Sequence, residues 1–182
     1  MFKNIYKNKK ILVTGNTGFK GSWLTTWLLK LGAEVIGISK DIPTSPSMFE
    51  ILKLEEKIKY YQEDIRDLAK MINLISSEKP DFLFHLAAQP VVSASYIDPS
   101  ETISSNVMGT ANILEALKVS NHNCVAVIIT SDKAYDNVEQ IEGYKEDDRL
   151  GGKDIYSGSK GAAELIIKSY FHSFLKKDSS NI

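Results

Sequence analysis

A hydroxyl, a carboxylate and an amine stand in a row at Ser131, Asp132 and Lys133, and Tyr156 and Lys160 follow four residues apart. A phenol has an ordinary pKa of about 10, so it serves as a base near neutrality only when a neighbouring cation favours the phenolate. A spacing of four on a helix puts Lys160 on the same face as Tyr156, where its ammonium can do this. A serine can orient a substrate hydroxyl, a protonated Asp can act as general acid, and a lysine of lowered pKa can act as base. Tyr6 and Lys10 repeat the spacing, so position in the fold must separate the two pairs.

That position comes from the order of elements. An apolar strand over residues 10–14 runs into the turn Gly15-Asn16-Thr17-Gly18-Phe19-Lys20-Gly21. A helix follows, with an apolar face of Trp23, Leu24, Trp27, Leu28 and Leu31 and a glycine cap at Gly32. Further strands are expected over 34–39, 58–62, 82–86 and 125–131, the last read as buried behind Cys124. Helices are expected over 67–76, 99–118 and 153–176, and residues 132–152 form a polar loop. Nearly continuous apolar strands alternating with amphipathic helices imply a parallel sheet covered on both faces. The fold expected is therefore α/β, a doubly wound Rossmann-type sheet, with residues 1–182 forming one domain. On that sheet Tyr156 and Lys160 follow the fifth strand, near its carboxyl edge, whereas Tyr6 precedes the first.

Composition narrows the partners. The 22 basic and 23 acidic residues, with a net charge of -1, leave no polycationic surface for nucleic acid. No apolar run reaches membrane length, and the stretch behind the N-terminal lysines is too short for a signal-peptide core, so a cytoplasmic protein is expected. The single Cys124 allows no internal disulfide and reads as a core thiol. His85, His122 and His172 lack metal-ligand spacing, and no metal is expected.

Gly15, Gly18 and Gly21 stand between a strand and a helix, the setting in which such glycines hold a dinucleotide. The first permits the tight turn, the second lets backbone approach a pyrophosphate, and the third allows close packing. Asp41 stands at the distance expected of an acid that binds the adenosine ribose, although a capping or solvated role fits as well. Lys20 or Lys40 could instead meet a 2′-phosphate, so NAD is preferred over NADP without the choice being closed. Asp64 could reach the adenine amino group or simply cap a loop.

These residues resemble the extended short-chain dehydrogenase/reductase family, and within it the CDP-glucose 4,6-dehydratases. The stretches that carry the resemblance are 14–23, Pro43-Thr44-Ser45-Pro46-Ser47, His85-Leu86-Ala87-Ala88-Gln89-Pro90, Asn106-Val107-Met108-Gly109-Thr110, Thr130-Ser131-Asp132-Lys133 and Tyr156-Ser157-Gly158-Ser159-Lys160. As cofactor contacts the resemblance adds Asn16, Thr17, Phe19, Ile65, Leu86, Ala87, Ala88 and Asn106, together with Tyr156 and Lys160. It implies that Tyr156 takes the proton of the C4 hydroxyl of CDP-glucose while hydride passes to NAD, with Ser131 orienting that hydroxyl. Lys133 then removes the C5 proton, Asp132 protonates the departing C6 hydroxyl, and hydride returns to C6. The dTDP-glucose dehydratases carry Glu in place of Lys133. The product, CDP-4-keto-6-deoxyglucose, feeds deoxysugars of surface polysaccharides such as the lipopolysaccharide O-antigen.

Members of the family are much longer, so the resemblance also implies a chain that stops before the last strands, with another strand due after Asn181-Ile182, and lacks the lobe that holds the nucleotide sugar. Such a fragment is expected to bind dinucleotide and to turn over sugar nucleotide poorly. The helices expected over 99–118 and 153–176 pair between subunits in relatives, which suggests a homodimer. The alternatives are another sugar-nucleotide dehydratase or epimerase, a non-catalytic dinucleotide module, or an assembly partner of a full-length copy.

Overall fold

The structure, a computed structural model, describes residues 2–176. Strand β1 (Lys10–Thr14) is apolar on successive residues because both its faces are covered: Ile11 and Val13 enter one apolar cluster, Leu12 the other. Around it lie β2 (Glu34–Ser39), β3 (Lys59–Gln62), β4 (Phe82–His85) and β5 (Val125–Ile128). All pairings are parallel and the order is β3-β2-β1-β4-β5. This is the expected doubly wound Rossmann-type sheet, in which the order of strand addition reverses between β1 and β4.

Helix α1 (Phe19–Lys30) ends as its sequence requires. Gly32 takes φ +81°, its N–H reaches Leu29 O at 3.0 Å, and Ala33 N–H reaches Leu28 O at 3.1 Å. The short α2 (Met48–Ile51) carries a Ser47/Glu50 capping box. In α3 (Leu68–Glu78) the cap is Asp67, which accepts from Lys70 N–H at 3.1 Å. Next come α4 (Val92–Ile97), α5 (Pro99–Ile103) and α6 (Thr110–Ser120), the last two joined by a π-wound turn at Ser104–Gly109. Helix α7 (Ile155–Tyr170) starts where Asp154 accepts from Ser157 N–H at 2.9 Å, two residues later than expected. No helix among the described residues is long and apolar enough to cross a membrane.

The larger apolar cluster sets Met71, Ile75, Ile113 and Ala116 of α3 and α6 against Leu12, Ile36, Ile38 and Leu83. The smaller sets Leu28 against Ile11, Val13 and Val35. Two sequence expectations are corrected here. On α1 the buried face is Gly21, Ser22, Thr25 and Leu28, while Trp23 and Trp27 are 58% and 47% exposed. The close approach demanded by the glycine turn brings small residues against the sheet and turns the indoles outward. Strand β5 is the sheet's edge among the described residues, and its Val125, Ala126 and Val127 are exposed rather than buried. Cys124 is half-buried against the larger cluster, and burial pushes its thiol up to about 12. The place of the further strand expected after Ile182 lies outside the described residues.

Candidate active site

A cavity of about 510 Å³ opens at the carboxyl ends of the strands, where doubly wound sheets place their ligands. Its floor is the glycine turn. Gly15 has φ +72°, and a Cβ there would stand 2.8 Å from Ala87 N, so only glycine lets the turn pass under the β4 exit. At Gly21 a Cβ would lie 2.0 Å from Gly15 O, which makes the third glycine a requirement of the turn itself. Gly18 differs: a Cβ would meet only Gly15 O at 3.4 Å, an ordinary contact, and its open side is the cavity. Packing within the chain therefore does not demand glycine at 18, whereas close approach of a ligand would. Gly18 caps α1 without a side-chain acceptor, so the first amides of the helix are free to meet an anion.

The turn is tied to the end of β2. Thr17 Oγ1 donates to Asp41 O at 2.7 Å, and its N–H meets Ser39 Oγ at 3.3 Å. Ser39 Oγ in turn donates to Asn16 Oδ1 at 2.8 Å. Asp41 consequently stands on the cavity wall with its carboxylate 62% exposed. Phe19, Ile65, Leu86, Ala87 and Ala88 line the same wall. Asp64 lines it too, but Arg66 holds both its oxygens, at 3.0 Å from Nε and 2.6 Å from Nη2. These bonds, Arg66 first, keep the Asp64 carboxyl below its usual range. That leaves little accepting capacity for an adenine amino group.

Two expected cofactor contacts lie beneath the cavity instead. Asn16 is fully buried, and its amide occupies the space over Gly37, where a Cβ would approach to 2.5 Å. Asn106, 1% exposed, accepts from Gln89 N–H at 2.8 Å and donates to Gln89 O at 3.1 Å and to Ser159 Oγ at 2.9 Å. Its side chain thus joins the loop after β4 to α7. A lone glycine inside a strand pattern signals such an approach, so Gly37 was legible in principle.

Tyr156 and Lys160 sit at the cavity's far end, both nearly buried, with Lys160 Nζ 5.9 Å from the centre of the Tyr156 ring. Burial, and then the charge of Lys20, push the Lys160 ammonium below the ordinary lysine value. The other tyrosine at this spacing, Tyr6, packs edge-on against Phe82 at 5.1 Å on the far side of the sheet. Thr130 leaves β5 on the cavity wall and hydrogen-bonds Glu164 of α7. Ser131 Oγ donates to Asp132 Oδ1 at 3.1 Å and accepts from Lys133 N–H at 3.2 Å. Asp132 and Lys133 are exposed and face an adjoining hollow of about 310 Å³, walled by Tyr135, Tyr144, Lys153 and Asp154. The structure thus places Tyr156 and Lys160 on one hollow and Asp132 and Lys133 on the other, with Ser131 lining neither; the first turn of α7 contributes Tyr156 to the first and Ser157 to the second.

A Rossmann-type sheet with a glycine turn at β1 and a Tyr/Lys pair after β5 has the architecture of a short-chain dehydrogenase/reductase. The sequence pattern of the GDP-mannose 4,6 dehydratase family matches residues 12–179, and the chain belongs to that family. It is 49% identical over 172 residues to a CDP-glucose 4,6-dehydratase of Salmonella typhimurium, an alignment covering 94% of this chain and 48% of that protein. Among solved structures, UDP-glucuronic acid 4-epimerase from Bacillus cereus, in complex with UDP-glucuronic acid and NAD, superposes with TM-score 0.78. It is 30% identical, over 91% of this chain and 53% of that one. The UDP-glucose 4-epimerase of Thermus thermophilus in complex with NAD gives TM-score 0.79 at 27% identity, over 92% of this chain and 52% of its own. The chain thus spans about half the length of the relatives it matches.

Proposed function

We propose that this chain carries the NAD-binding and proton-transferring half of a CDP-glucose 4,6-dehydratase. The observation that carries the reading is one cavity running from the glycine turn to the buried Tyr156/Lys160 pair; Lys133 lines a second hollow beside it. The glycine geometry fits a dinucleotide, because Gly18 is free of packing demands and open to the cavity. The 49% identity to a CDP-glucose dehydratase supports the substrate.

Bound NAD supplies the hydride acceptor at C4 and the hydride that later returns to C6. Tyr156 takes the proton of the C4 hydroxyl, and the Lys160 ammonium favours its phenolate. Ser131 orients that hydroxyl. The C4 ketone acidifies C5, Lys133 takes the C5 proton, and Asp132 protonates the C6 hydroxyl, which leaves as water; Lys133 gives the proton back to C5 as C6 is reduced. The protein works in the cytoplasm, in the supply of deoxysugars for surface polysaccharide. Exposed Ile103, Met108 and Leu165, on helices that pack together, support pairing with a second copy.

A chimera tests the reading: residues 1–176 replace the aligned half of the Salmonella typhimurium dehydratase. The chimera is expected to convert CDP-glucose to the 4-keto-6-deoxy sugar and to lose this activity with Tyr156→Phe or Lys133→Glu. A folded chimera without activity, or one indifferent to both changes, contradicts it.

A further inference from the structure

The two lysines able to receive a phosphate on the adenosine ribose are placed differently. Lys20, in the glycine turn, lies towards Lys160, whose charge it opposes. Lys40 lies at the ribose end, one residue past β2, but its ammonium is engaged. Its Nζ is 3.1 Å from Oε1 of Glu101 and 4.0 Å from Oδ2 of Asp41.

Glu101 reaches this point from α5. Its other oxygen takes Nη1 of Arg66, the residue that also grips Asp64. Its backbone N–H is capped by Asp98 at 2.8 Å, and Ser105 Oγ donates to Oε1 at 3.2 Å, so the carboxylate is held from several sides. Burial works against its charge, yet the bonds from Lys40 and then Arg66 outweigh it and keep the carboxyl below its usual value. Glu63 on the same wall is paired with Lys70. Four carboxylates, of Asp41, Glu63, Asp64 and Glu101, therefore line this end, and each cation beside them, Lys40, Arg66 and Lys70, is already in an ion pair.

We propose that Glu101 sets the preference for an unphosphorylated adenosine ribose by holding Lys40 in an ion pair across the cavity. The inference rests on the dinucleotide reading above and extends it to a residue of α5. With Glu101 neutralised, Lys40 keeps only the longer 4.0 Å contact with Asp41, so its ammonium can turn to a 2′-phosphate on that wall, and one negative charge opposing that phosphate is gone.

Calorimetric titration with NAD and with NADP tests this on the wild-type chain, Glu101→Gln, Glu101→Asp and Glu101→Gln/Lys40→Met, each checked for folding by circular dichroism. Wild type is expected to favour NAD. Glu101→Gln narrows the ratio by roughly fivefold, about the worth of one exposed charge contact, mainly by gaining NADP affinity. Glu101→Asp keeps a carboxylate for Arg66 but is one methylene short of Lys40, so it moves the ratio in the same direction should the Gln variant fail to fold. Adding Lys40→Met removes the gain. An unchanged ratio in the Glu101 variants, or a gain that survives Lys40→Met, overturns the inference while leaving the dinucleotide reading intact. A folded wild type that binds neither dinucleotide overturns both.

Discussion

Thr14, the last residue of β1, donates its hydroxyl hydrogen to Nδ1 of His85 at 2.7 Å, and the surrounding bonds leave only this assignment. Thr110 gives its own hydrogen to Asn106 O at 2.8 Å, so it can only accept from His85 Nε2–H, at 3.1 Å. Thr14 Oγ1 in turn accepts the N–H groups of Leu86 and Ala87, each at 3.2 Å. The imidazole is neutral, fully buried, and ties the turn under the cavity to α6.

This neutrality fixes a pH dependence. Burial, and then the charge of Lys160, push His85 down to about 3 in the folded chain, whereas an unfolded chain binds the proton near the ordinary value of 6.5. Below pH 6.5 the unfolded state therefore holds more protons, and stability falls as pH drops towards the carboxylate range. Thermal midpoints measured from pH 7.5 to 5 should decline, and His85→Asn should flatten that slope. Midpoints that rise on acidification contradict the assignment.

The glycines separate folding from binding. Gly21→Ala forces a Cβ to 2.0 Å from Gly15 O and should destabilise the chain by at least ~3 kcal/mol. Gly18→Ala meets only an ordinary contact, so its unfolding midpoint should stay near wild type while dinucleotide affinity drops tenfold or more, an effect of roughly 1.4 kcal/mol. Urea denaturation of both variants, followed by titration of the folded one, checks the pair of claims.

Lys160 is 6% exposed, and no carboxylate pairs with it among the described residues. A buried cation without a partner costs stability, so Lys160→Met should raise the thermal midpoint, by the equivalent of ~1 kcal/mol, and weaken dinucleotide binding. Scanning calorimetry with a parallel titration reads both. A lowered midpoint would mean that the ammonium is structural.

The succession of strands and helices along the chain, the glycine turn and the Tyr156/Lys160 spacing were legible because each rests on local pattern: apolar runs, turn glycines and a step of four on a helix. What escaped depends on distant partners. Thr25 and Trp27 could not be assigned to inner and outer faces of α1 without knowing how closely Gly21 brings the helix to the sheet. An apolar run does not show which strand lies at an edge, so the exposure of Val125 and Val127 went unseen. Asn106 meets Ser159 across 53 residues, and Arg66 meets Glu101 across 35. No spacing rule spans such separations, and only the fold shows that Asn106 and Glu101 organise the cavity rather than merely flank it.

We infer that the cavity between the glycine turn and Tyr156 takes a dinucleotide in this chain as it stands. Isothermal titration of the folded chain with NAD tests it directly. Saturable one-site binding that Gly18→Ala weakens is the predicted result. Absence of binding by a chain whose circular dichroism shows the α/β fold would contradict it.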